Sequence, residues 1–525
     1  MSLQNYQPYW PETVIFWGAG ATTSLGMPNT AMQGTLFSEL VRDKVLDERI
    51  HSAFSPYYET AQEPALVELF AYLEAEEPES LPTNSRKRFR ELRNIYDWRT
   101  LRKIIQVTPK DKDGKIKIND LFNLIDMHRS SHHGFPDREG NPIAPDALER
   151  ARHALIMILS LMFHGAYRKQ LKNPGELQKY YQFAEVLAQM MMDEGMSRYQ
   201  EVRNAADRRF CFFSYAVISM NWDPMLLWML FNAHGAANKH PSYIELDRTP
   251  IPMKLFHDLG HFMGIRKIDG KTPEVWYPMS EASAQRLNDP EHFSGRRVRL
   301  GKFYFPHGCL NGRECPNCGK WVVDLGEEWN AFSQTLFPAP ILKSLEGLMR
   351  TPRSDQEKEA FDADQSDAVQ CSYCGTLTEQ HHVQLLMQTH FKHNTPPFLE
   401  EIQRDMRVAL ENANHLVFMG FSLPEDDVIY RSLLAARQSR DKDKKICISI
   451  VVGRESNAPD QWLSTAELHD YFQQNPKASA QKVFESIQSI FGDVKIRGYL
   501  KGIPSVFLSH ENADRQKIET LIRPW

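Results

Sequence analysis

Four stretches of this chain end in residues that could handle a nucleotide, and a fifth group could hold a metal. The apolar run Thr13 to Trp17 leads into Gly18-Ala19-Gly20 and then Thr22 and Thr23. Glycine lets a backbone approach a ligand without a Cβ in the way. If a helix starts here, its free N–H groups and positive dipole end suit a diphosphate. The apolar run Phe210 to Ser219 ends in Asn221 and Asp223. Lys302 to Pro306 leads to His307-Gly308, and His415 to Met419 leads to Gly420-Phe421-Ser422-Leu423. In open α/β sheets ligands bind at the carboxyl ends of strands, which is where these four groups fall. The fifth group is Cys315, Cys318, Cys371 and Cys374, two C-x-x-C pairs each followed by glycine. Thiolates are soft ligands, and four of them close a tetrahedron around zinc with no open position for chemistry. Cys309 is an alternate ligand without a partner at knuckle spacing.

The elements that must position these residues follow from periodicity. Uninterrupted apolar runs suit buried strands of a parallel sheet. Residues 11–40 read as strand, turn and helix. Residues 41–204 read as a mostly helical insertion, with apolar residues at helical spacing in Ala151 to Lys169 and a further helix over Ile116 to Met127, capped by Asn119 or Asp120. Thr108 to Lys115 reads as a surface turn, and His128, His132 and His133 as a solvated loop. Residues 240–298 read as irregular, and His257 and His261 have the spacing of a helical metal pair, although Gly260 lies between them. The last third returns to strands and helices, including a helix over Pro397 to Asn412. The expected architecture is α/β: a Rossmann-like parallel sheet built from residues 1–40, 205–308 and 385–525, a helical insertion over 41–204, and a four-cysteine zinc-ribbon module over 309–384.

Bulk properties narrow the function. The 525 residues carry 67 acidic against 62 basic side chains, so no basic field calls for nucleic acid. The longest apolar run, Ala154 to Phe163, is too short to span a bilayer. The N-terminus does not read as a secretory signal. Seven cysteines, four of them in C-x-x-C pairs, suit a reducing compartment and a metal. The expected location is cytoplasmic.

Taken together, the motifs resemble the sirtuin family. Gly18-Ala19-Gly20 with Gly26-Met27-Pro28 is similar to its G-A-G…G-I-P segment, and Ser219 to Asp223 to its T-Q-N-I-D segment. His307-Gly308 before the first cysteine pair resembles its catalytic His-Gly and zinc module, and Gly420 to Leu423 its G-T-S-L turn. Gly420-Phe421-Ser422-Leu423-Pro424-Glu425-Asp426-Asp427 is similar to the sirtuin-like branch of bacterial antiphage proteins, whose members hydrolyse NAD. Two departures stand out. Asn29-Thr30-Ala31 replace the D-F-R of the deacetylases, and Gln388 to His393 lack their peptide-pairing stretch.

The resemblance implies a Rossmann-like fold, NAD+ as substrate and structural Zn2+. Asn221 and His307 become the catalytic pair: the amide holds the ribose or water, and the imidazole, a side-chain type suited to proton transfer, acts as base. Gly18, Ala19, Gly20, Thr22, Thr23, Asn221, Asp223, Gly420, Ser422 and Leu423 become the cofactor-binding set. The implied activity is NAD+ hydrolysis to nicotinamide and ADP-ribose, as an antiphage effector. A deacylase or ADP-ribosyltransferase, or an NAD- or ADP-ribose-binding module without turnover, are the alternatives. A protein regulator or phage-derived trigger, a homo-oligomer and no membrane complete the expectation.

Overall fold

The computed structural model describes residues 11–60, 63–90, 92–132, 134–172, 174–201, 212–239, 243–246, 249–258, 263–265, 274–276, 297–319, 321–323, 369–370, 374, 376–378, 383, 385–386, 396–425, 427–440, 446–453, 455, 457–476 and 478–525. Nine strands form one sheet: β1 (Thr13–Trp17), β2 (Phe212–Ser219), β3 (Tyr243–Leu246), β4 (Thr249–Asp258), β5 (Arg297–Tyr304), β6 (His415–Met419), β7 (Cys447–Val451), β8 (Leu463–Ser464) and β9 (Lys495–Tyr499). Their order is β8-β9-β7-β6-β1-β2-β5-β4-β3. The seven inner strands are parallel, and the edge strands β3 and β8 run antiparallel to them.

Residues in β1, β6 and β7 are buried throughout, which explains their unbroken apolar runs. Phe16 of β1 stacks on Phe418 of β6 with ring centroids 4.9 Å apart. The register aligns Trp17 with Met419 on one side and Ser219 on the other. Gly18, Met220 and Gly420 therefore leave three adjacent strands at the same level. Strand order reverses around β1, since β2 and β6 flank it while hundreds of residues separate them in the chain. That reversal is the switch point at which open α/β sheets form crevices.

The expectation for residues 240–298 needs correction. Within that range β3 and β4 extend the main sheet, and Met263–Ile265 pairs with Glu274–Trp276. Pro250 and Pro252 mask the strand signal, but they lie near the start of β4, opposite an edge strand, where missing N–H groups are tolerated. His257 is therefore on a strand, not a helix; His261 lies outside the described residues.

The described residues of 41–204 are mainly helical, as the periodicity requires, with helices Leu46–Phe54, Glu63–Glu74, Thr83–Phe89, Leu92–Ile95, Trp98–Val107, Ile118–Ser131, Pro145–Leu171 and Gly175–Glu201. His128 lies inside a helix, not in a loop, and His132 ends it with a positive φ of 53°; His133 lies outside the described residues. The surface turn is as expected, with Asp111 Oδ1 accepting from the N–H groups of Asp113 and Lys115. This helical tract is not walled off from the sheet. Its buried residues and those of the α/β part belong to one continuous hydrophobic cluster. Tyr167 meets Trp228 of the Met225–Lys239 helix edge-on at 5.9 Å, and Trp17 of β1 meets Tyr180 at 6.1 Å. Among the described residues no helix is long and apolar enough to cross a membrane.

The turns after β1 and β6 touch through their backbones. Gly18 N–H donates to Met419 O and Gly20 N–H to Gly420 O, both at 2.9 Å. A Cβ on Gly420 would lie 2.1 Å from Ala21 N, and Gly420 has a φ of 60°. Gly420→Ala thus adds a backbone clash to left-handed strain, and is expected to destabilise the protein by about 2–4 kcal/mol. Urea denaturation of the variant tests this; a change below about 0.5 kcal/mol would mean the two turns can separate freely.

Candidate functional site

The four strand ends line one cavity of about 440 Å³. Ala19, Gly20, Thr22 and Thr23 come from the turn after β1, Asn221 and Asp223 from the turn after β2, His307 from the turn after β5, and Gly420 and Ser422 from the turn after β6. Gly18 and Leu423 do not line it. Gly18 is a packing residue, because a Cβ there would sit 2.5 Å from Gly420 O. Leu423 is fully buried with a φ of 47°, and its carbonyl accepts from Arg431 Nη1.

The helix expected after β1 is one turn long, Ala19–Thr22, and passes into a 3-10 turn that ends at Gly26 with φ 68°. Its dipole is correspondingly small. The N–H groups of Gly18, Gly20 and Ala21 are all engaged by backbone carbonyls of Met419, Gly420 and Gly18. A ring of free amides around an anion is therefore not what this turn offers. Its glycines serve backbone-to-backbone contact, and its ligand-facing groups are side chains.

Those side chains form a connected set. Asn221 is buried and its Nδ2 donates to Gly18 O at 3.1 Å and Thr22 Oγ1 at 3.2 Å. Its Oδ1 is buried without a hydrogen-bond partner. Because Gly18 O can only accept, the atom facing it must be the amide nitrogen, so the unpartnered atom is the oxygen. Thr22 Oγ1 donates to Asp223 Oδ2 at 3.3 Å, and Met225 N–H donates to Asp223 Oδ1 at 3.2 Å. Burial raises the Asp223 carboxyl to about 6, against these hydrogen bonds, which pull the other way. His307 is 2 % exposed, and its ring packs on Tyr430 at 5.2 Å between centroids. Gly308 follows with φ 74°, and its N–H closes the turn onto Phe305 O at 3.0 Å.

Sequence reasoning missed one wall. Asn119 and Phe163 reach the cavity from the helical insertion, Asn29, Thr30 and Gln33 from the segment just after Pro28, and Trp222 and Leu386 also line it. Asn119 was expected as a helix cap. The helix instead starts at Ile118 after Lys117, without a side-chain cap. Asn29, where the deacetylase D-F-R would begin, caps the Thr30–Leu40 helix by accepting from Met32 N–H at 3.0 Å. The insertion also holds the glycine turn from behind: Tyr180 hydroxyl lies 2.5 Å from Ala21 O and 2.7 Å from Ser24 Oγ. Arg152 reaches from the insertion to Leu385 O at 2.6 Å, next to the lining residue Leu386. No periodicity or motif announces contacts between residues so far apart in the chain.

At the cysteine site, the sulfurs of Cys315, Cys318 and Cys374 lie within 4.8 Å of one another, close enough to share a metal ion. Cys315 and Cys318 occupy the turn between Gly312–Glu314 and Trp321–Val323, where Gly319 N–H bonds Cys315 O at 2.8 Å and Gly319 takes φ 64°. Cys374 comes from a second hairpin, Val369–Gln370 with Leu377–Thr378. Cys371 lies outside the described residues, as do Leu336 to Leu348 and Gln388 to His393. Cys309 is fully buried outside this cluster, and burial pushes its thiol well up. No protein-family model and no curated protein matches this chain.

The raised Asp223 carboxyl carries a signed prediction. The folded chain keeps this proton to about pH 6, whereas an unfolded aspartate loses it near pH 4. The folded state thus binds the extra proton between those values, and Asp223 lowers stability progressively as pH rises through them. Asp223→Asn is expected to gain stability relative to the parent between pH 4 and pH 7. Denaturation midpoints at both pH values test this, and a constant difference would rule out the raised carboxyl.

Proposed function

We propose that this chain is an NAD+ hydrolase of the sirtuin-like kind, which cleaves the nicotinamide–ribose bond to give nicotinamide and ADP-ribose. The observation that carries the reading is the convergence of Asn221, Asp223, His307 and the two glycine turns on one cavity, from strand ends spread over 400 residues of sequence. Asn221 lines this cavity with its amide oxygen unpartnered, which suits a ribose hydroxyl or an attacking water.

Nicotinamide leaves NAD+ with the electron pair of its bond to C1′, and its ring becomes neutral. The leaving group therefore needs no acid. The chain's work is to hold the ribose, limit water and stabilise positive charge that develops on the sugar. Asn221 is braced by Gly18 O and Thr22 and would orient the hydroxyl or water. His307 would take the proton released as water adds to C1′, leaving ADP-ribose. The Asp223 carboxylate would favour the cationic ring and sugar. Zn2+, held by Cys315, Cys318 and Cys374 with Cys371 as the expected fourth thiolate, would tie two hairpins together and take no part in the reaction. An NAD-depleting role in antiphage defence, in the cytoplasm, as a homo-oligomer released by a protein regulator or a phage-derived trigger, completes the reading.

Incubating the purified protein with NAD+, with and without an acetylated peptide, tests it. Nicotinamide and ADP-ribose should form without peptide. Asn221→Ala and His307→Ala should each lower kcat/KM by about 10²–10⁴ while leaving the melting temperature within a few degrees. Peptide-dependent release with O-acetyl-ADP-ribose would overturn the hydrolase assignment. Elemental analysis should find about one zinc per chain, lost in Cys315→Ser; a metal-free soluble protein would remove the zinc site.

A further inference from the structure

His307 stands in the turn after β5, and its backbone is held from outside the sheet. His307 O accepts from Leu386 N–H at 2.9 Å. On the other edge of the same peptide unit, Leu385 O accepts from Arg152 Nη2 at 2.6 Å. The Leu385 carbonyl and the Leu386 N–H belong to one planar group and point in opposite directions. One rigid peptide thus spans the gap between a guanidinium of the Pro145–Leu171 helix and the backbone of His307. A charged donor on the carbonyl also polarises the N–H across the amide, which strengthens the bond to His307. Leu385 is fully buried, so bulk water does not reach its carbonyl to replace the guanidinium. Arg152 itself has little freedom. It is 4 % exposed, its Nε donates to Asp126 Oδ1 at 2.7 Å, and its guanidinium lies 5.7 Å from the centre of the Phe122 ring. Phe122 in turn packs on Trp222 at 5.7 Å, and Trp222 lines the cavity. Two insertion helices, Ile118–Ser131 and Pro145–Leu171, therefore fix the guanidinium that holds this peptide.

We propose that Arg152 is a positioning residue for His307: through the Leu385–Leu386 peptide it sets the place of the turn that carries the imidazole. Arg152 is not among the residues that line the cavity, so it acts without touching the dinucleotide. This rests on the NAD+ reading above and adds a component from outside the sheet. A helix inserted between β1 and β2 bears on proton transfer at a residue that follows β5. Loss of the guanidinium slows the step that needs the base and leaves the groups that hold the dinucleotide in place.

Steady-state NAD+ hydrolysis by the parent, Arg152→Met, Arg152→Lys, His307→Ala and the double variant Arg152→Met with His307→Ala tests the assignment. Arg152→Met should lower kcat by about 10- to 100-fold, with KM for NAD+ within about twofold of the parent. Arg152→Lys, which keeps a cationic donor, should recover part of the loss. In the His307→Ala background the same Arg152→Met change should cost less than about twofold, because the base that Arg152 positions is gone. A residue that only stabilised the fold would lower kcat equally in both backgrounds. Melting curves confirm that each variant is folded. A second readout does not need turnover. In histidine-labelled protein the His307 imidazole signal, identified by its loss in His307→Ala, should move in Arg152→Met. It should stay in place in Arg150→Met, which removes an exposed pair with Asp146 on the same helix. Parental kcat in a folded Arg152→Met, an equal loss in both backgrounds, or a His307 signal that is unmoved or moves as much in Arg150→Met would overturn the role of Arg152 alone. A parent that releases no nicotinamide would overturn the NAD+ reading, and the imidazole signal would still decide whether Arg152 positions His307.

Discussion

The structure depends on one close approach: the backbones leaving β1 and β6 press against each other with no space for a Cβ. Gly18 and Gly20 meet Gly420, and the mutual hydrogen bonds run from amide to carbonyl across the contact. Hydrogen bonds between turns at the switch point close the floor of the cavity and leave its ligand-facing surface to side chains. The glycines of this region thus have a packing duty before any duty to a ligand. With those amides engaged, the buried polar side chains at the cavity are Asn221, Gln33, Asp223, Thr22 and His307.

The helical insertion is structurally inseparable from that arrangement. Its long Pro145–Leu171 helix is buried along most of its length and packs on the other insertion helices and, through Tyr167, on Trp228 of the Met225–Lys239 helix. Tyr180 braces the glycine turn, Arg152 ties down the segment carrying Leu386, and Asn119 and Phe163 form part of the cavity wall. Arg152 is itself held by Asp126 at 2.7 Å and lies over the Phe122 ring, so its reach rests on a partly buried ion pair within the insertion. A segment inserted between β1 and β2 is well placed for this, because both strands deliver their ends to the cavity.

Two amides at the cavity are held by their nitrogens. Gln33 Nε2 donates to Pro28 O and Asn221 Nδ2 to Gly18 O, while the oxygen of each is buried without a hydrogen-bond partner. The same desolvation that lifts the Asp223 carboxyl makes each unpaired acceptor expensive.

Much of this was legible in the sequence. The apolar runs announced β1 and β6, because strands buried on both faces have no polar side to alternate with. Punctuation by glycine, asparagine and histidine marked the strand ends, and the C-x-x-C pairs marked the cysteine cluster. Strand β4 was masked by its prolines, whose edge-side placement only the pairing reveals. The sequence by itself determined which residue types stand at which strand ends, since local periodicity and turn chemistry are written in neighbouring residues. Only the tertiary structure decided that Gly18 packs rather than binds, that Asn119 lines a cavity rather than caps a helix, and that Gln33 joins the site at all. Those outcomes depend on which backbones meet across the sheet and which helices cover them, and such contacts leave no local signature in the chain.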